Sequence, residues 1–198
     1  PDQTVLAAAA LAGVDRVFKI GGAQAIAAMA LGTETVPRVD LICGPGNAFV
    51  VAAKKQLYGE VGIDGLFGPT ETLIVADDSV SAELCAADLI AQAEHDVMAK
   101  PVLVTVDETF ADTVERELEI QLARLDRQSI ASAAIEQNAV VVIVSDVEEA
   151  VDVANAMAPE HFCLAVRDPL RYVPMVQSAG GLFLGEHSAE VLGDYIAG

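Results

Sequence analysis

The chain has 198 residues, of which 53% are hydrophobic and 21% are charged, a balance typical of a folded globular protein. Its 30 acidic residues against 11 lysines and arginines give a formal net charge of −19, which would repel a nucleic-acid backbone over most of the surface. We find no apolar run as long as the roughly 18 residues that a membrane-spanning helix needs. The composition therefore predicts a cytoplasmic protein with neither a nucleic-acid nor a membrane partner.

The first part of the chain predicts helices alternating with short strands. Helices are predicted at residues 3–12, 23–31 and 47–58, and strands at residues 16–20 and 39–43. Glycines lie at or next to the ends of several of these segments. The β-α-β-α order is typical of a parallel sheet with covering helices.

The second part repeats this alternation. Strands are predicted at residues 73–76, 102–106, 140–144 and 163–166, and helices at residues 82–95, 108–124, 130–137 and 147–157. Asp146 occupies the N-cap position of the last helix. The glycine- and proline-rich segment 59–70 separates the two series. We predict an α/β fold of two Rossmann-like lobes with mainly parallel sheets, at residues 1–71 and 72–198.

The three cysteines, Cys43, Cys85 and Cys163, are an odd number at wide spacing. Because no Cys-x-x-Cys motif is present, the pattern disfavours both a disulfide framework and a thiolate metal cluster. We interpret all three as small buried apolar side chains.

Two glycine turns follow predicted strands and open predicted helices. Such a turn offers unpaired backbone N–H groups to a phosphate. The turn from Gly44 to Asn47 lacks the Gly-x-Gly-x-x-Gly fingerprint, so a tight turn is favoured somewhat over a dinucleotide site. Gln24 has the same position one unit earlier, where it would bind a polar ligand or lie at a solvated helix start.

Gln92 and His95 lie three residues apart on a predicted helix and therefore on one face. An amide oxygen and an imidazole nitrogen could share a metal ion there, and zinc would accept Asp194 as a third donor. By spacing alone, a helical Gln-x-x-His is more often a solvated face.

Glu160 and His161 come at the mouth of a predicted strand. Strand ends and their adjoining loops form ligand clefts in open α/β sheets, so this pair could divide acid and base chemistry between its members. The alternative for an isolated pair is a histidine placed near a helix C-terminus, which the helix dipole favours.

Six motifs in this order resemble the histidinol dehydrogenase family. They are Gly21-Gly22-Ala23-Gln24, Gly44-Pro45-Gly46-Asn47, Gly68-Pro69-Thr70-Glu71, Gln92-Ala93-Glu94-His95-Asp96, Pro159-Glu160-His161 and Gly193-Asp194-Tyr195. The resemblance covers essentially the whole chain but only the central portion of that family's longer polypeptide. We therefore expect these residues to be a piece of something longer.

The resemblance implies a zinc-dependent, NAD-linked homodimer that performs the four-electron oxidation of L-histidinol, through L-histidinal, to L-histidine. These are the last steps of histidine biosynthesis. Family positions match zinc ligands at Gln92, His95 and Asp194, acid/base residues at Glu160 and His161, and NAD contacts at Gln24 and Asn47. Substrate contacts are implied for Thr70, Gln92, His95, His161 and Asp194. Thr70 stands where the family more often has serine, which puts the identity of the substrate in question.

The family's fourth zinc ligand is a histidine in a C-terminal region that is absent here and that crosses the dimer interface. We therefore expect weak zinc binding and little or no turnover from these 198 residues alone. Two alternatives stay open. One is a related zinc- and NAD-dependent dehydrogenase acting on another primary alcohol, and the other is a non-catalytic α/β dimerisation module.

Overall fold

The computed structural model describes residues 1–66 and 71–193. The chain divides into two compact units, residues 1–68 and 69–198. The sequence placed this division after residue 71, and the NAD-binding and catalytic roles assigned to the two lobes remain predictions. Among the described residues, no helix is both long enough and apolar enough to cross a membrane.

The first unit combines helices with a two-stranded parallel sheet. The elements are α1 (Gln3–Leu11), α2 (Gly22–Leu31), β1 (Leu41–Ile42), α3 (Ala48–Leu57) and β2 (Gly62–Ile63). The hydrophobic core is small and consists of Ile26, Ala30, Ile42, Val50 and Val61. This core joins α2 and α3 to the sheet.

The strand predicted at residues 16–20 is wrong. This segment is neither helix nor strand, and Val17, Phe18 and Ile20 are exposed. A β-branched and aromatic run becomes a strand only where a neighbouring strand completes its backbone hydrogen bonds. Within residues 1–66, the sheet consists of β1 and β2 alone.

The second unit contains a five-stranded parallel sheet in the order β5-β4-β3-β6-β7. Its elements are β3 (Glu71–Ala76), α4 (Ala82–His95), β4 (Lys100–Thr105), α5 (Glu108–Leu122), α6 (Gln128–Asn138), β5 (Val140–Ile143), α7 (Val147–Met157), β6 (His161–Ala165) and β7 (Gly181–Leu184). The predicted α/β class with parallel sheets and covering helices is confirmed.

Helices cover both faces of this sheet, as all-parallel sheets require. Because strand side chains alternate between faces, Ile74 and Ala76 pack with α4 and α5, whereas Leu73 and Val75 pack with α7. On β6, Cys163 lies on the α4 side and Phe162 and Leu164 lie on the α7 side. Within each strand, successive residues therefore alternate between the α4 side and the α7 side of the sheet.

Local signals fix the ends of the helices that matter most for the site. The Ser81 side chain caps α4, and Asp146 caps α7 by accepting a 2.8 Å hydrogen bond from the Glu149 amide, which confirms the predicted N-cap. At the other end of α7, Ala158 adopts a left-handed conformation with φ of 52°, and Pro159 follows it. The helix therefore ends sharply, and a short loop leads into β6.

Cys43 corrects the prediction that all three cysteines are buried. Cys85 and Cys163 are buried, but Cys43 is exposed. The reason is the alternation of side chains along β1, where Leu41 is exposed and Ile42 is buried, so that the next residue faces outward again.

Candidate functional site

The register of the second sheet places Thr72 beside His161. The two residues are direct partners in the parallel pairing of β3 with β6, at the amino ends of both strands. Each lies two residues before a side chain that packs toward α4, namely Ile74 and Cys163. Alternation therefore directs Thr72 and His161 to the α4 side as well.

Helix α4 brings Gln92 to the same end of the sheet. A helix that connects two parallel strands runs back along them, so its last turn returns to their amino ends. Cys85, Leu89 and Gln92 follow one another at helical spacing and are all buried, with Gln92 at 0% exposure. The Thr72 Oγ1 hydroxyl donates to Gln92 Oε1 over 2.6 Å.

Glu190 completes what we call the glutamate cluster: Thr72, Gln92, His161 and Glu190. It begins the 3₁₀ turn Glu190–Leu192, and its side chain is only 2% exposed. Its Oε2 contacts the Thr72 hydroxyl and lies 3.2 Å from His161 Nδ1. Because a hydroxyl carries one proton, Thr72 donates to Gln92 or to Glu190 at any moment, but not to both.

The His161 ring is held from a second side by Phe183 on β7. The two rings meet edge to face, with their centroids 5.7 Å apart and their planes at 84°. The His161 side chain keeps 17% of its surface exposed. It can therefore meet a small molecule from solvent while two neighbours limit its rotation.

Asp88 adds a second acidic group to this region. It lies four residues before Gln92 on α4, which places both side chains on one face of the helix. Burial, together with the nearby negative charge of Glu190, raises the pKa of Asp88 to about 6. The surroundings of the glutamate cluster therefore favour protons and cations.

The backbone of Glu160 is fixed by two glycines. Its carbonyl oxygen accepts a 2.7 Å hydrogen bond from the Gly181 amide. A Cβ at Gly180 would lie 2.6 Å from that same oxygen, so this close approach excludes any larger residue. Glu160 is half-buried in the loop between α7 and β6 and immediately precedes His161 in the chain.

The predicted metal ligands are only partly described. Gln92 and His95 lie in the last turns of α4, with Gln92 buried and His95 exposed, whereas Asp194 and the predicted substrate residue Thr70 lie outside the described residues. Within the described ranges, no cluster of three histidine, cysteine, aspartate or glutamate side chains is able to hold a metal. An imidazole and a carboxylate are nevertheless donors that zinc accepts, and the Gln92 amide oxygen would be an unusual third ligand.

In the first unit, a salt bridge braces the glycine turn after β1. Lys54 is 2% exposed, and its Nζ lies 2.6 Å from Asp64 Oδ1 and 2.5 Å from the Gly44 carbonyl oxygen. Asp64 Oδ2 also accepts from the Gly44 amide at 2.6 Å. The hydrogen bond from Lys54 is the main cause that lowers the pKa of Asp64 to about 2. We call Lys54, Asp64 and Gly44 the lysine bridge.

The two predicted NAD residues, Gln24 and Asn47, lie at helix starts in this unit. Gln24 is exposed in the first turn of α2. Asn47 is the N-cap of α3, and its Oδ1 accepts from the amides of Phe49 and Val50 at 3.1 and 3.2 Å. Any bond from the Asn47 side chain to a cofactor would therefore use its Nδ2 hydrogens.

The sequence interpretation missed three members of the site, namely Thr72, Phe183 and Glu190. Thr72 was placed just outside the predicted strand, and β7, which carries Phe183, was not predicted. Glu190 lies in a short 3₁₀ turn with no periodic pattern to mark it. One signal was available, because an acidic residue close before the motif Gly193-Asp194-Tyr195 is a plausible neighbour of a metal or proton site.

Comparisons with known proteins cover the whole chain. The profile of the histidinol dehydrogenase family matches residues 1–198. Histidinol dehydrogenases from Thermus thermophilus and Syntrophotalea carbinolica are 58% and 52% identical, each over 98% of this chain and over 47% and 45% of their own lengths. The crystal structure of histidinol dehydrogenase from Elizabethkingia anophelis matches with a TM-score of 0.90 and 42% identity, over 98% of this chain and 45% of that one.

The chain thus spans about half the length of the curated relatives it matches. At this identity, and with the family profile matching from the first residue to the last, the chain belongs to the histidinol dehydrogenase family.

Proposed function

We propose that this chain is the central part of a cytoplasmic, NAD-dependent enzyme that oxidises L-histidinol through L-histidinal to L-histidine. The observation that carries the proposal is the position of His161, at the start of β6 and between Glu190 and Phe183. Family membership supports the choice of substrate. A partly exposed imidazole with a carboxylate at one nitrogen is suited to accept a proton at the other.

His161 acts as the base in the first oxidation. It takes the hydroxyl proton of L-histidinol while a hydride leaves the carbinol carbon, giving the aldehyde. NAD supplies the hydride acceptor for this step and for the next one. A base held within reach of the reacting proton contributes roughly 10² to 10⁴ in rate.

Glu160 acts in the second oxidation. The aldehyde must first add water: the Glu160 carboxylate takes a proton from that water as its oxygen bonds to the carbonyl carbon, and the carbonyl oxygen takes the proton that His161 gained in the first oxidation. The hydrate then gives its carbon-bound hydrogen as a hydride to a second NAD and a hydroxyl proton to His161, which leaves the acid. The glycines that fix the Glu160 backbone support this role, because they hold the main chain of Glu160 in place directly before His161.

Gln92, His95 and Asp194 would hold a zinc ion together with a ligand from outside this chain. Zinc there would supply an electrophile that orients the amine and imidazole of the substrate. Thr70 would contact the substrate, and Gln24 and Asn47 would contact NAD from the first unit.

Homodimerisation is part of the proposal. Strand β5 is an edge of the second sheet, and Val140, Val141 and Ile143 on it are 49%, 55% and 48% exposed. An exposed apolar edge of this kind favours association with another chain or segment. The fourth metal ligand would come from a second copy of the longer polypeptide, since these 198 residues do not contain it.

Thermal melting of the 198-residue chain with zinc tests the metal site. Zinc should raise the Tm, since a ligand that binds only the folded state stabilises it, and L-histidinol should raise it further only when zinc is present. The variant His95→Ala should lose most of the zinc effect. The matched control is His187→Ala, because His187 is an exposed loop histidine. A shift equal in both variants would reject the site.

Single-turnover formation of NADH, with the chain in excess, tests the chemistry. L-Histidinol should react faster than 4-hydroxymethylimidazole, which has the alcohol and the ring but lacks the amine. Faster reaction of the simpler alcohol would favour the related dehydrogenase instead. Glu160→Gln should slow oxidation starting from L-histidinal by about 10²-fold, and should slow the alcohol step less. Equal slowing of both steps would remove the water-activating role.

A further inference from the structure

Glu190 is a buried carboxylate whose partners are uncharged or only sometimes charged. Its side chain is 2% exposed, and its Oε2 meets the Thr72 hydroxyl and His161 Nδ1. A carboxylate taken out of water needs donors to offset the lost hydration. Both Thr72 and His161 can donate, but His161 does so only if Nδ1 carries a proton.

The surrounding structure holds the His161 ring next to Glu190. His161 is the first residue of β6, where its pairing with Thr72 on one side and with Gly181 on the other fixes its Cα. Phe183 packs its ring edge to face against the imidazole. With the ring held in this way, the nitrogen 3.2 Å from Glu190 remains Nδ1.

A neutral imidazole carries one proton, on Nδ1 or on Nε2. At 3.2 Å from a carboxylate oxygen, a protonated Nδ1 is stabilised by the negative charge, whereas a bare Nδ1 would set a lone pair against that charge. The environment of His161 therefore selects the form with the proton on Nδ1 and the lone pair on Nε2.

We propose that Glu190 is a positioning residue that holds His161 in the Nδ1–H form, so that Nε2 is the atom that accepts the proton of the substrate alcohol. The catalytic part of this inference rests on the proposed function. The proton position is a property of this chain alone. Thr72 assists by donating its hydroxyl hydrogen to Glu190, which holds the carboxylate in place.

The test is nitrogen NMR of the chain labelled with ¹⁵N in its three histidine rings. Spectra are recorded well above the ordinary imidazole pKa of about 6.5, where neutral rings report which nitrogen is protonated. The His161→Gln variant identifies the signals of His161 by their loss. In the unchanged chain, nearly all of the His161 population should carry its proton on Nδ1.

Two variants at Glu190 separate positioning from general stability. Glu190→Ala removes the acceptor, so the Nδ1–H population should fall below half. Glu190→Gln keeps an acceptor oxygen without the charge, so most of the Nδ1–H population should be retained. If the alanine variant does not fold, the unchanged chain and the glutamine variant still decide the question.

The matched control is Glu186→Ala, which changes the glutamate 3.6 Å from the exposed ring of His187. It should leave the His161 signals where they are. A proton on Nε2 of His161 in the unchanged chain, or an unaltered Nδ1–H population in Glu190→Ala, would overturn the positioning role. Loss of the zinc and NADH effects would instead count against the proposed function and leave the proton position intact.

Discussion

Lys54 in the first unit and Glu190 in the second are both 2% exposed, but they have different kinds of partner. Lys54 donates hydrogen bonds to the Asp64 carboxylate and to the Gly44 carbonyl, and both of these groups act only as acceptors. Glu190 meets a hydroxyl and an imidazole, each of which can change its role as donor or acceptor. The lysine bridge therefore fixes a backbone turn, whereas the glutamate cluster is able to redistribute protons.

The largest expected effect comes from removing the charge of the lysine bridge. Lys54→Met leaves Asp64 and the Gly44 carbonyl without their buried donor, and it should lower the free energy of unfolding by about 2–3 kcal/mol. The control is Lys55→Met at the neighbouring exposed lysine, which should change it by less than about 0.5 kcal/mol. Denaturant unfolding measures both. Equal losses would mean that Lys54 stabilises the turn through its alkyl chain rather than its charge.

The second effect concerns the central hydroxyl of the glutamate cluster. Thr72→Val keeps the shape of the side chain but removes the hydroxyl that donates to the buried oxygens of Gln92 and Glu190, at a cost of about 1–3 kcal/mol. Thr72→Ser keeps the hydroxyl and should lose less. Urea unfolding of the two variants compares them directly, and a valine variant as stable as the unchanged chain would show that the hydroxyl is dispensable.

A smaller effect depends on pH and tests whether burial disfavours the charged form of Asp88. Because the pKa of Asp88 is raised to about 6 in the fold, the folded state keeps a proton that the unfolded chain releases near its ordinary value of 3.8. The stability contributed by this proton is complete below about pH 4 and is lost as pH rises through about 6. Asp88→Asn should therefore stabilise the chain at neutral pH and make little difference below pH 4.

Asp88 is only half-buried, so solvent screening reduces the expected gain from Asp88→Asn at neutral pH to about 1–2 kcal/mol. Melting curves of the variant and the unchanged chain across this pH range provide the measurement. A gain that stays constant from acidic to neutral pH would show that the carboxyl charge is not its cause.

The smallest effect on stability is expected at Cys43, the exposed residue just before the lysine bridge. Cys43→Ser should change the Tm very little. Its thiol should nevertheless be the reactive one, because burial raises the pKa of Cys85 to about 12 and also raises that of Cys163. Iodoacetamide labelling with mass spectrometry should give one adduct on the native chain and three after denaturation. Rapid labelling of Cys163 would mean that the strand bearing His161 opens readily.

Sequence patterns predicted much of the second unit because its signals are local. Helices α4 and α7 have the predicted bounds, and a capping side chain marks the start of each. Residues 16–20 show the opposite case, since their strand-like composition finds no partner strand within the described part of the first unit. Strand formation depends on a neighbour that is distant in the chain, and a sequence window does not contain it.

The residues of the site also divide into those marked by local motifs and those whose contacts depend on distant segments. Short motifs of unusual polar residues singled out His161 and Gln92, which the structure brings into one cluster, whereas the roles of Glu160 and His95 stay predictions. Glu190 was not singled out, although it touches two members of the cluster. Glu190 is separated from its partner Thr72 by 118 positions in the chain, and no motif in the neighbouring residues marks it.

By itself, the sequence determined the α/β class, most helices and the membership of the family. Periodicity, caps and motifs each depend on residues that lie close together in the chain. The tertiary structure alone decided which polar groups meet. The register of β3 with β6 sets Thr72 beside His161, and the fold then brings Glu190 to both. Burial and proximity determine how these groups share their protons, and both arise only when distant segments pack together.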